Sequence, residues 1–364
     1  EVLLKTLSPL SPLPALDTRL VISSIRKVGW AVKEVYYYEK LSEGKVRCGI
    51  CPHRCLVTEG KYGLCRVRKN SGGTLFALNY ARCAASALDP IEKKPLYHFY
   101  PGSTIFSLGA LGCSFRCDFC QNWEIAQADA PTVKLAPEQA VQLALEAGRD
   151  CIGLAYTYSE PLMWYEYVLD TARLAREQGL KNVVVTNGYI NPEPLAALLP
   201  YIDALNIDVK AFQPQFYRRL CGGDLEPVLE TVKACVEAGC HVELTTLLVT
   251  GLNDSPEEIT QLVDWVARLD PEIPLHFSRY FPRYKLDLPP TPPESLERAW
   301  EIAREKLSYV YLGNITGGKG SSTCCPQCGA VLVDRDGFRV QVRELAGDRC
   351  AKCGTRVRII NGRG

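Results

Sequence analysis

The stretch GCSFRCDFCQNWEIAQ, residues 112–127, contains three closely spaced cysteines. Three residues separate Cys113 from Cys117, two separate Cys117 from Cys120, and Phe119 directly precedes the third cysteine. A disulfide scaffold needs cysteines in pairs, and a closed structural zinc site needs four ligands. Neither kind of site explains a group of three, and a partial zinc site or three core cysteines are the alternatives that the residues leave.

The composition is that of an ordinary globular protein. The 364 residues suffice for one large domain with smaller modules, 47% of them are hydrophobic, and the net charge is +1. This near-neutral charge argues against steering of the whole protein toward nucleic acid or an anionic membrane. No apolar run reaches the ~18 residues of a membrane-spanning helix. The first 16 residues lack a secretion-signal pattern, and we interpret them as a loose arm.

Seventeen cysteines are unusual for such a chain, and most of them are clustered. Three groups follow one another: Cys48, Cys51, Cys55 and Cys65; Cys113, Cys117 and Cys120; and Cys325, Cys328, Cys350 and Cys353. Five scattered cysteines are interpreted as structural: Cys83, Cys151, Cys221, Cys235 and Cys240. Disulfide-rich secreted proteins are usually short and carry a signal peptide, so the clusters favour metal sites in a reducing cytoplasm.

The first group, CGICPHRCLVTEGKYGLC over residues 48–65, supplies four thiol ligands. Its spacing fits neither the bacterial ferredoxin run nor a common zinc finger. Zinc and a second [4Fe–4S] cluster are therefore both open for this site, and His53 is an alternative ligand.

The third group consists of two CxxC knuckles, separated by a stretch with the pattern of a hairpin that turns at Asp336-Gly337. Four thiolates on two knuckles are typical of a zinc ribbon, which needs its metal to fold, and a rubredoxin-like iron site is the alternative. The preceding TGGKGSS, residues 316–322, predicts a flexible linker and hence a mobile ribbon.

The ribbon is more basic than the rest of the chain. From Cys325 to Gly364, seven Arg and one Lys stand against four Asp or Glu. Such an excess is typical of a docking surface for an acidic partner or nucleic acid, or else of a basic solvated face.

The middle of the chain alternates apolar strands with helical patterns. Six strands are predicted: TIFSLGALG from Thr104, CIGLAYTY from Cys151, NVVVTNG from Asn182, IDALNIDV from Ile202, CHVELTTLLV from Cys240 and PLHFSRY from Pro274. Strands that each lead into a helix imply a parallel α/β sheet. Right-handed crossovers would curl it into an open or closed barrel, with a doubly wound sheet as the alternative.

Polar residues follow the carboxyl ends of these strands, where α/β proteins place their active sites. The three-cysteine loop comes after the first strand. The later strands end in or near TYSEP (157–161), TNG (186–188), NIDVK (206–210), ELTTL (243–247) and HFSRY (276–280). One such segment alone is more often a helix cap or a turn, but six at one edge of a sheet predict a functional site.

The Cys-x3-Cys-x2-Cys spacing, with an aromatic residue before the third cysteine, resembles the radical S-adenosylmethionine (radical SAM) superfamily. The resemblance implies a partial (β/α)6 barrel of the TIM type. It also implies that Cys113, Cys117 and Cys120 hold three irons of a [4Fe–4S] cluster, whose fourth iron binds S-adenosylmethionine. One electron then cleaves this cosubstrate to methionine and a 5′-deoxyadenosyl radical, which removes a hydrogen from a substrate.

Further segments resemble one group within that superfamily. LDPIEKKPLYHF, CDFCQNW, YTYSEP, VTNGYI, NIDVKAF and VYLGN together are similar to the radical SAM member of the AmmeMemoRadiSam system, a relative of pyruvate formate-lyase activating enzyme. This resemblance runs from about Cys48 to the C-terminus. It implies AMMECR1-like and Memo-like partners and an electron donor such as ferredoxin or flavodoxin, and it leaves a macromolecular substrate open. A glycyl-radical activase and a scaffold without catalysis are the alternatives.

The resemblance assigns several side chains to the cosubstrate. Phe119 would shield the cluster and approach the adenine, while Asn187 and Asp208 would contact the ribose and the methionine carboxylate region. Lys210 matches the lysine of a D-x-K motif. Activating enzymes often have Asp before TNG, so Val185 at that position argues against a monovalent-cation site.

Two further segments are assigned less directly. TYSEP stands where relatives have a Gly-Gly-Glu type of motif, so Thr157 and Ser159 are expected to take the place of the two glycines. Tyr158 is a further candidate contact, and Glu160 is the expected charged partner of the amino group. His276 is expected against the adenine or backbone of the cosubstrate, with a core histidine as the alternative.

These features predict four regions. They are an N-terminal arm over residues 1–40, a Cys-rich metal-binding module over 41–100, the radical SAM barrel over 101–315 and the zinc ribbon over 322–364.

Overall fold

The chain folds in three parts: an N-terminal module, a central sheet with its helices, and a C-terminal ribbon. The computed structural model describes residues 32–315 and 320–362. Most of the predicted N-terminal arm, and residues 316–319 of the predicted linker, lie outside these ranges. In the described part of the chain, every helix is too short or too polar to cross a membrane.

Short antiparallel strands build the N-terminal module. They are β1 (Lys33–Glu34), β2 (Tyr38–Lys40), β3 (Val46–Cys48), β4 (Leu56–Val57), β5 (Arg68–Ser71), β6 (Thr74–Ala77) and β7 (Arg82–Cys83). Two three-stranded sheets result, in the orders β1-β6-β5 and β2-β3-β4. The module begins at Lys33 and not at residue 41 as expected, because β1 and β2 pair with β6 and β3.

The central part alternates strands and helices as the sequence predicts. Its elements are β8 (Ala85–Pro90), β9 (Thr104–Gly109), α1 (Trp123–Ala126), β10 (Val133–Lys134), α2 (Pro137–Glu146), β11 (Cys151–Tyr156), α3 (Tyr165–Glu177), β12 (Lys181–Thr186), α4 (Pro192–Leu198), β13 (Ala204–Asp208), α5 (Pro214–Phe216), α6 (Glu226–Glu237), β14 (His241–Leu248), α7 (Pro256–Leu269), β15 (Leu275–Arg279), α8 (Pro293–Arg304) and β16 (Val310–Gly313).

Eight of these strands form one sheet, in the order β16-β15-β14-β13-β12-β11-β9-β8. The six predicted strands are present and pair in parallel with their neighbours. Two further strands extend the sheet, β16 in parallel and β8 antiparallel. The small strand β10 pairs with β7 of the N-terminal module.

The two faces of the sheet are covered differently. Val184 packs with helix residues in the main core, whereas its neighbour Val183 packs with Ile91, Leu96 and Phe99. Because successive side chains of a strand point to opposite faces, the helices cover one face and the segment before β9 covers the other. This cover fits the barrel expectation better than the doubly wound alternative, in which helices lie on both faces.

A buried ion pair fastens the N-terminal module to this sheet. Arg68 of β5 places Nη1 2.6 Å from Oε2 of Glu166 in α3, and both side chains are almost fully buried. The indole nitrogen of Trp164 also donates to the carbonyl oxygen of Asn79 at 2.6 Å. Removing one partner of a buried pair leaves an uncompensated charge, so the pair specifies how the module docks.

The C-terminal ribbon contains five short strands. They are β17 (Thr323–Cys324), β18 (Val331–Asp336), β19 (Arg339–Val342), β20 (Leu345–Ala346) and β21 (Arg349–Cys350). The first three form an antiparallel sheet and the last two a hairpin. The turn between β18 and β19 lies at Gly337-Phe338, one residue later than expected, and Gly337 takes the left-handed conformation that the turn requires.

The ribbon is packed against the sheet, which corrects the expectation of a mobile ribbon. Arg335 is 4% exposed, its guanidinium lies 4.3 Å from the ring centre of Tyr97, and its Nη2 donates to the carbonyl oxygen of Tyr97 at 2.6 Å. Its Nε lies 3.7 Å from Oε1 of Glu92. The backbone of Ile360 donates to the carbonyl oxygen of His98 at 2.7 Å.

Several basic side chains of the ribbon form ion pairs with carboxylates. Beyond the buried Arg335, three arginines have carboxylate partners: Arg343 with Asp334, Arg356 with Asp348 and Arg358 with Asp270. Asp334 and Asp348 are already counted among the acidic residues of the ribbon, whereas Glu92 and Asp270 lie outside it, so only these last two reduce its excess of positive charge. The docking interpretation stays a prediction.

We expect Arg335→Ala to destabilise the metal-loaded protein by about 3–5 kcal/mol, since it leaves the Glu92 carboxylate buried and unpaired. Urea unfolding followed by circular dichroism measures this change. Arg339→Ala, at an exposed position of the same ribbon, is the control and should change stability by less than about 0.5 kcal/mol. Equal effects of the two substitutions would show that the ribbon is not held by Arg335.

Candidate active site and metal sites

Four loops meet at one edge of the sheet. The strands β9, β11, β12 and β13 are consecutive neighbours and parallel, so their carboxyl ends lie side by side. The three-cysteine loop follows β9, and TYSEP, TNG and the end of NIDVK follow the other three. The sequence prediction that these segments share one edge is therefore confirmed.

The three-cysteine loop is held by the turn Tyr217–Cys221. The backbone amide of Arg116 donates to the carbonyl oxygen of Cys221 at 2.7 Å, and that of Asp118 donates to Leu220 at 3.0 Å. Cys117 is buried, while Cys113 and Cys120 are half-buried. Phe119 is buried too, with its ring centre 5.6 Å from that of Phe216. These bonds thus fix the backbone of the loop.

Charges around Cys117 favour its thiolate. A hydrogen bond from Cys221 and the nearby charge of Lys210 lower the pKa of Cys117, against the opposing effect of burial. Burial lowers the pKa of Lys210, but the negative charges of Asp208 and the neighbouring cysteines outweigh this effect and raise that pKa well above its usual value. Because thiolates rather than thiols bind metals, this charge favours Cys117 as a ligand, whereas burial raises the pKa of Cys113 and that of Cys120.

The carboxylate of Glu160 joins the ends of two strands. Its Oε1 accepts hydrogen bonds from Thr186 Oγ1 at 2.6 Å and from the amide of Leu162 at 3.0 Å, and its Oε2 accepts one from the amide of Asn187 at 2.9 Å. Burial raises the pKa of Glu160 to about 7, although these three donors favour the charged form. The geometry therefore favours a positioning role for Glu160 over a direct contact with a ligand.

Asn187 lies directly beside the cysteine loop. Its Nδ2 donates to Ser114 Oγ at 3.0 Å and lies 3.6 Å from Cys113 Sγ. Its Oδ1 accepts from the amide of Tyr189 at 2.9 Å. The predicted proximity of TNG to the cysteines is thus present in the structure.

The other TYSEP side chains are engaged within the protein. Ser159 Oγ donates to the carbonyl oxygen of Ala110 at 2.6 Å. The hydroxyl of Tyr158 donates to Asp89, and the ammonium of Lys94 lies 4.5 Å from the centre of the Tyr158 ring. These contacts hold the loop against the neighbouring strand and the segment before β9.

Asp208 and Lys210 form an ion pair at the end of β13, with Nζ and Oδ2 2.8 Å apart. Their side chains are 34% and 15% exposed, so this pair can still reach a bound molecule. Val185 is half-buried directly before TNG, and its apolar side chain supplies no carboxylate for a monovalent cation.

His276 is buried in a polar network on the sheet. Its Nε2 lies 2.7 Å from Oε2 of Glu243, whose other oxygen is 3.0 Å from Nε2 of His241. Its ring packs edge-on against Tyr97 at 4.8 Å between centres and lies 5.0 Å from the centre of the Tyr311 ring. This setting favours the core-histidine alternative over a cosubstrate contact.

The ribbon knuckles bring four sulfur atoms together. The Sγ atoms of Cys325, Cys328, Cys350 and Cys353 all lie within 4.8 Å of one another, with 3.6 Å between Cys325 and Cys353 and 3.7 Å between Cys328 and Cys350. Four sulfurs at about 2.3 Å from one tetrahedral ion stand about 3.8 Å apart. The ribbon site therefore has the size of a single-ion site.

The first cysteine group lies in the N-terminal module. Cys48 ends β3, Cys55 precedes β4 and Cys65 precedes β5. His53 was an alternative ligand, but its Nε2 lies 2.9 Å from the carbonyl oxygen of Ser114 in the three-cysteine loop. His53 thus joins the two cysteine segments.

Sequence reasoning missed two residues of the site. Cys221 was interpreted as a scattered structural cysteine, yet its carbonyl oxygen accepts from the amide of Arg116 in the three-cysteine loop and its thiol lowers the pKa of Cys117. Ser114 was assigned no role, although its hydroxyl oxygen accepts a hydrogen bond from Nδ2 of Asn187. No spacing pattern could reveal the Cys221 contact, because the partners lie on different elements and meet only through the fold.

The chain is similar to several known proteins. A family model described as the radical SAM superfamily matches residues 109–266. The uncharacterized protein MJ0808 of Methanocaldococcus jannaschii is 45% identical over 337 residues, 90% of this chain and 100% of that protein. The pyruvate formate-lyase-activating enzyme of Clostridium pasteurianum is 24% identical over 161 residues, 43% of this chain and 67% of that enzyme. The crystal structure of Streptococcus suis SuiB bound to S-adenosylmethionine aligns with a TM-score of 0.47 at 17% identity, covering 59% of this chain and 50% of that chain.

The site and the sequence relatives together define a radical SAM enzyme, which confirms the predicted class. The chain belongs to one family with the MJ0808 protein, which it matches over that protein's whole length. Membership of the superfamily implies a [4Fe–4S] cluster and S-adenosylmethionine as cofactors.

We expect Glu160→Gln to lower the stability of the cluster-loaded protein by about 1–3 kcal/mol, because the new amide group faces backbone donors that the carboxylate accepted. Thermal unfolding and the affinity for S-adenosylmethionine are measured together. Glu193→Gln, at an exposed position of α4, is the control. Lost affinity with unchanged stability would instead make Glu160 a direct contact, as the sequence first indicated.

We expect the ribbon to bind about one zinc ion per chain, held by its four thiolates. The double substitution Cys328→Ala/Cys353→Ala should remove that ion, while Cys324→Ala, beside the knuckle, should keep it. Elemental analysis of zinc and iron in the three proteins measures the outcome. Iron in place of zinc at this site would establish the rubredoxin-like alternative.

Proposed function

We propose that the protein cleaves S-adenosylmethionine at a [4Fe–4S] cluster held by Cys113, Cys117 and Cys120, and abstracts hydrogen from a substrate at the same edge of the sheet. The observation that carries this proposal is the position of the three-cysteine loop beside the TYSEP, TNG and NIDVK loops. When bound, the cluster supplies the electron that cleaves the cosubstrate to a 5′-deoxyadenosyl radical.

The residues present fit such a cluster. Three sulfurs come from one loop, and the Cys221 hydrogen bond and the Lys210 charge both favour the thiolate of Cys117. Thiolates are the usual ligands of iron–sulfur clusters. Cys221 keeps its proton in this arrangement, because burial and the Cys117 thiolate raise the pKa of Cys221.

Polar groups beside the loop are suited to hold the cosubstrate. The Asp208–Lys210 pair is partly exposed at the end of β13 and offers both signs of charge. Asn187 lies against Cys113, and Phe119 supplies an apolar surface within the loop. Glu160 positions Asn187 by accepting from its backbone amide, and the hydrogen bonds of Tyr158 and Ser159 fix the TYSEP loop beside it. His276 supports the sheet through its contact with Glu243.

The sheet supplies an apolar environment next to this edge. On the face opposite the helices, Ile105, Ala155, Val183 and Ala204 pack with the segment before β9. Excluding water from such a site prevents a reactive intermediate from being lost to solvent. A partial (β/α)6 barrel would place the substrate at the carboxyl edge of this face, next to the three-cysteine loop, since the segment before β9 covers these four residues.

The system and the partners form the finer part of the proposal. Segments such as DPIEKKPLYHF and CDFCQNW support membership of the AmmeMemoRadiSam system, with AMMECR1-like and Memo-like partners and a ferredoxin or flavodoxin as electron donor. A cytoplasmic location is supported by the seventeen cysteines, all of which are described and none of which forms a disulfide. A glycyl-radical activase is the second candidate, because a pyruvate formate-lyase-activating enzyme is among the relatives.

We expect the reduced, reconstituted protein to release 5′-deoxyadenosine from S-adenosylmethionine, and the triple substitution Cys113→Ala/Cys117→Ala/Cys120→Ala to abolish the release. Chromatography of the nucleoside products measures this activity. Cys240→Ala is the control and should retain the activity, because Cys240 lies just before β14 and outside the four loops of the site.

Two outcomes bear on the proposal further. Activity in the triple variant would overturn the assignment of the three cysteines. Addition of AMMECR1-like and Memo-like proteins should change the turnover, whereas formation of a glycyl radical on an added pyruvate formate-lyase-type enzyme would favour the activase.

A further inference from the structure

The four cysteines of the N-terminal module lie in one region of it. Cys48, Cys51 and Cys65 are buried, and Cys55 is half-buried. The amide of Cys48 donates to the carbonyl oxygen of Cys55 at 3.0 Å, which closes the segment between them. Cys51 lies within electrostatic range of the other three sulfurs. The group is therefore one site built from four thiols.

The spacing of these sulfurs differs from that of the ribbon. Among the described residues, the ribbon cysteines form a set with all ligand atoms within 4.8 Å of one another, and the Cys48 group forms no such set. Neither do Cys113, Cys117 and Cys120. Thiolates that share one ion crowd together, whereas those that bind separate irons of a cluster are held apart. The Cys48 group thus resembles the three-cysteine site and not the ribbon.

A buried cation next to the group lacks one hydrogen-bond partner. Arg68 is 1% exposed, and its Nη1 is paired with Glu166. Its Nε–H is buried and has no acceptor in the described structure. The guanidinium lies within electrostatic range of Cys48 and Cys65. Leaving a buried donor unpaired costs about 1–3 kcal/mol, so the geometry indicates an acceptor that protein atoms do not supply, such as a cluster sulfur.

The module site also abuts the three-cysteine loop. Gly112, which precedes Cys113, has a φ of +94°, and a Cβ at that position would lie 2.8 Å from the carbonyl oxygen of Cys65. The Nδ2 of Asn191, just beyond TNG, donates to the carbonyl oxygens of Gly49 at 2.7 Å and Cys51 at 3.1 Å. The two cysteine sites are therefore neighbours whose backbones touch.

We propose that Cys48, Cys51, Cys55 and Cys65 bind a second iron–sulfur cluster of the [4Fe–4S] type, with Arg68 as a positioning residue that donates to one of its sulfurs. Four thiolates leave no iron open, so this cluster is closed to S-adenosylmethionine. The site is separate from the one that carries the proposed function, and it decides between the zinc and cluster alternatives that the sequence left open.

The test uses the full-length Cys113→Ala/Cys117→Ala/Cys120→Ala variant, reconstituted with iron and sulfide without oxygen. We expect this variant to retain about four irons and about four sulfides per chain, together with the ribbon's zinc. Further substitution of Cys48, Cys51, Cys55 and Cys65 by Ala should remove the iron, and substitution of Cys240 should not. Iron, sulfide and zinc analysis with electron paramagnetic resonance of the reduced protein measures these outcomes.

Several results would overturn the proposal. In the triple variant, a second zinc in place of iron, or no metal at the Cys48 group, would overturn it. The triple variant keeps all four module cysteines, so this result counts even if the variant with further substitutions does not fold. Failure of the proposed function is distinguishable from this failure. An iron-containing triple variant with an inactive wild-type protein contradicts only the function, and an active wild-type protein with an iron-free triple variant contradicts only the second cluster.

Arg68→Lys tests the positioning role within the triple variant. It keeps the charge beside Glu166 but removes the Nε–H donor, so the midpoint potential of the second cluster should fall while the iron content stays unchanged. Hydrogen bonds to cluster sulfurs are among the factors that set such potentials. An unchanged potential with full iron content would overturn the assignment of Arg68, since a purely structural role would leave the potential alone.

Discussion

The parallel pairing of β9, β11, β12 and β13 is the constraint on which the site depends. In a parallel sheet the carboxyl ends of neighbouring strands lie at one edge, and the hydrogen-bond ladders fix which loops are adjacent. A slip of one residue in any ladder would turn the strand's side chains to the opposite face. Glu160 reinforces this arrangement at the edge itself, because it binds the backbone of both its own loop and the next.

Buried charged pairs connect the two metal-binding modules to this sheet. Arg68 with Glu166 fastens the N-terminal module, and Arg335 with Glu92 fastens the ribbon. Burying such pairs has a high desolvation cost, so they add specificity of docking more than stability. As a result, the N-terminal cysteines are held against the three-cysteine loop, and the ribbon, which has a small hydrophobic cluster of its own, is held against the segment before β9.

The two closed sets of four cysteines show how sulfur spacing separates kinds of metal site. The ribbon sulfurs are as close as ligands of one tetrahedral ion must be. The N-terminal sulfurs are more widely spread and lie beside a buried guanidinium with an unpaired donor. Sequence spacing alone left the second set undecided, because ligand identity is the same in both and only the distances differ.

The sequence by itself determined the six parallel strands, the three-cysteine loop at their carboxyl edge, the ribbon knuckles and the class of enzyme. Each follows from a local pattern of hydrophobic periodicity, ligand spacing or motif, which can be recognised without knowing how the rest of the chain packs. Only the tertiary structure decided that the edge strands β8 and β16 extend the sheet, that the ribbon is fixed by Arg335, and that the backbone of Cys221 holds the three-cysteine loop. These features depend on partners far apart in the chain, because a buried polar group takes whichever partner the packing brings to it.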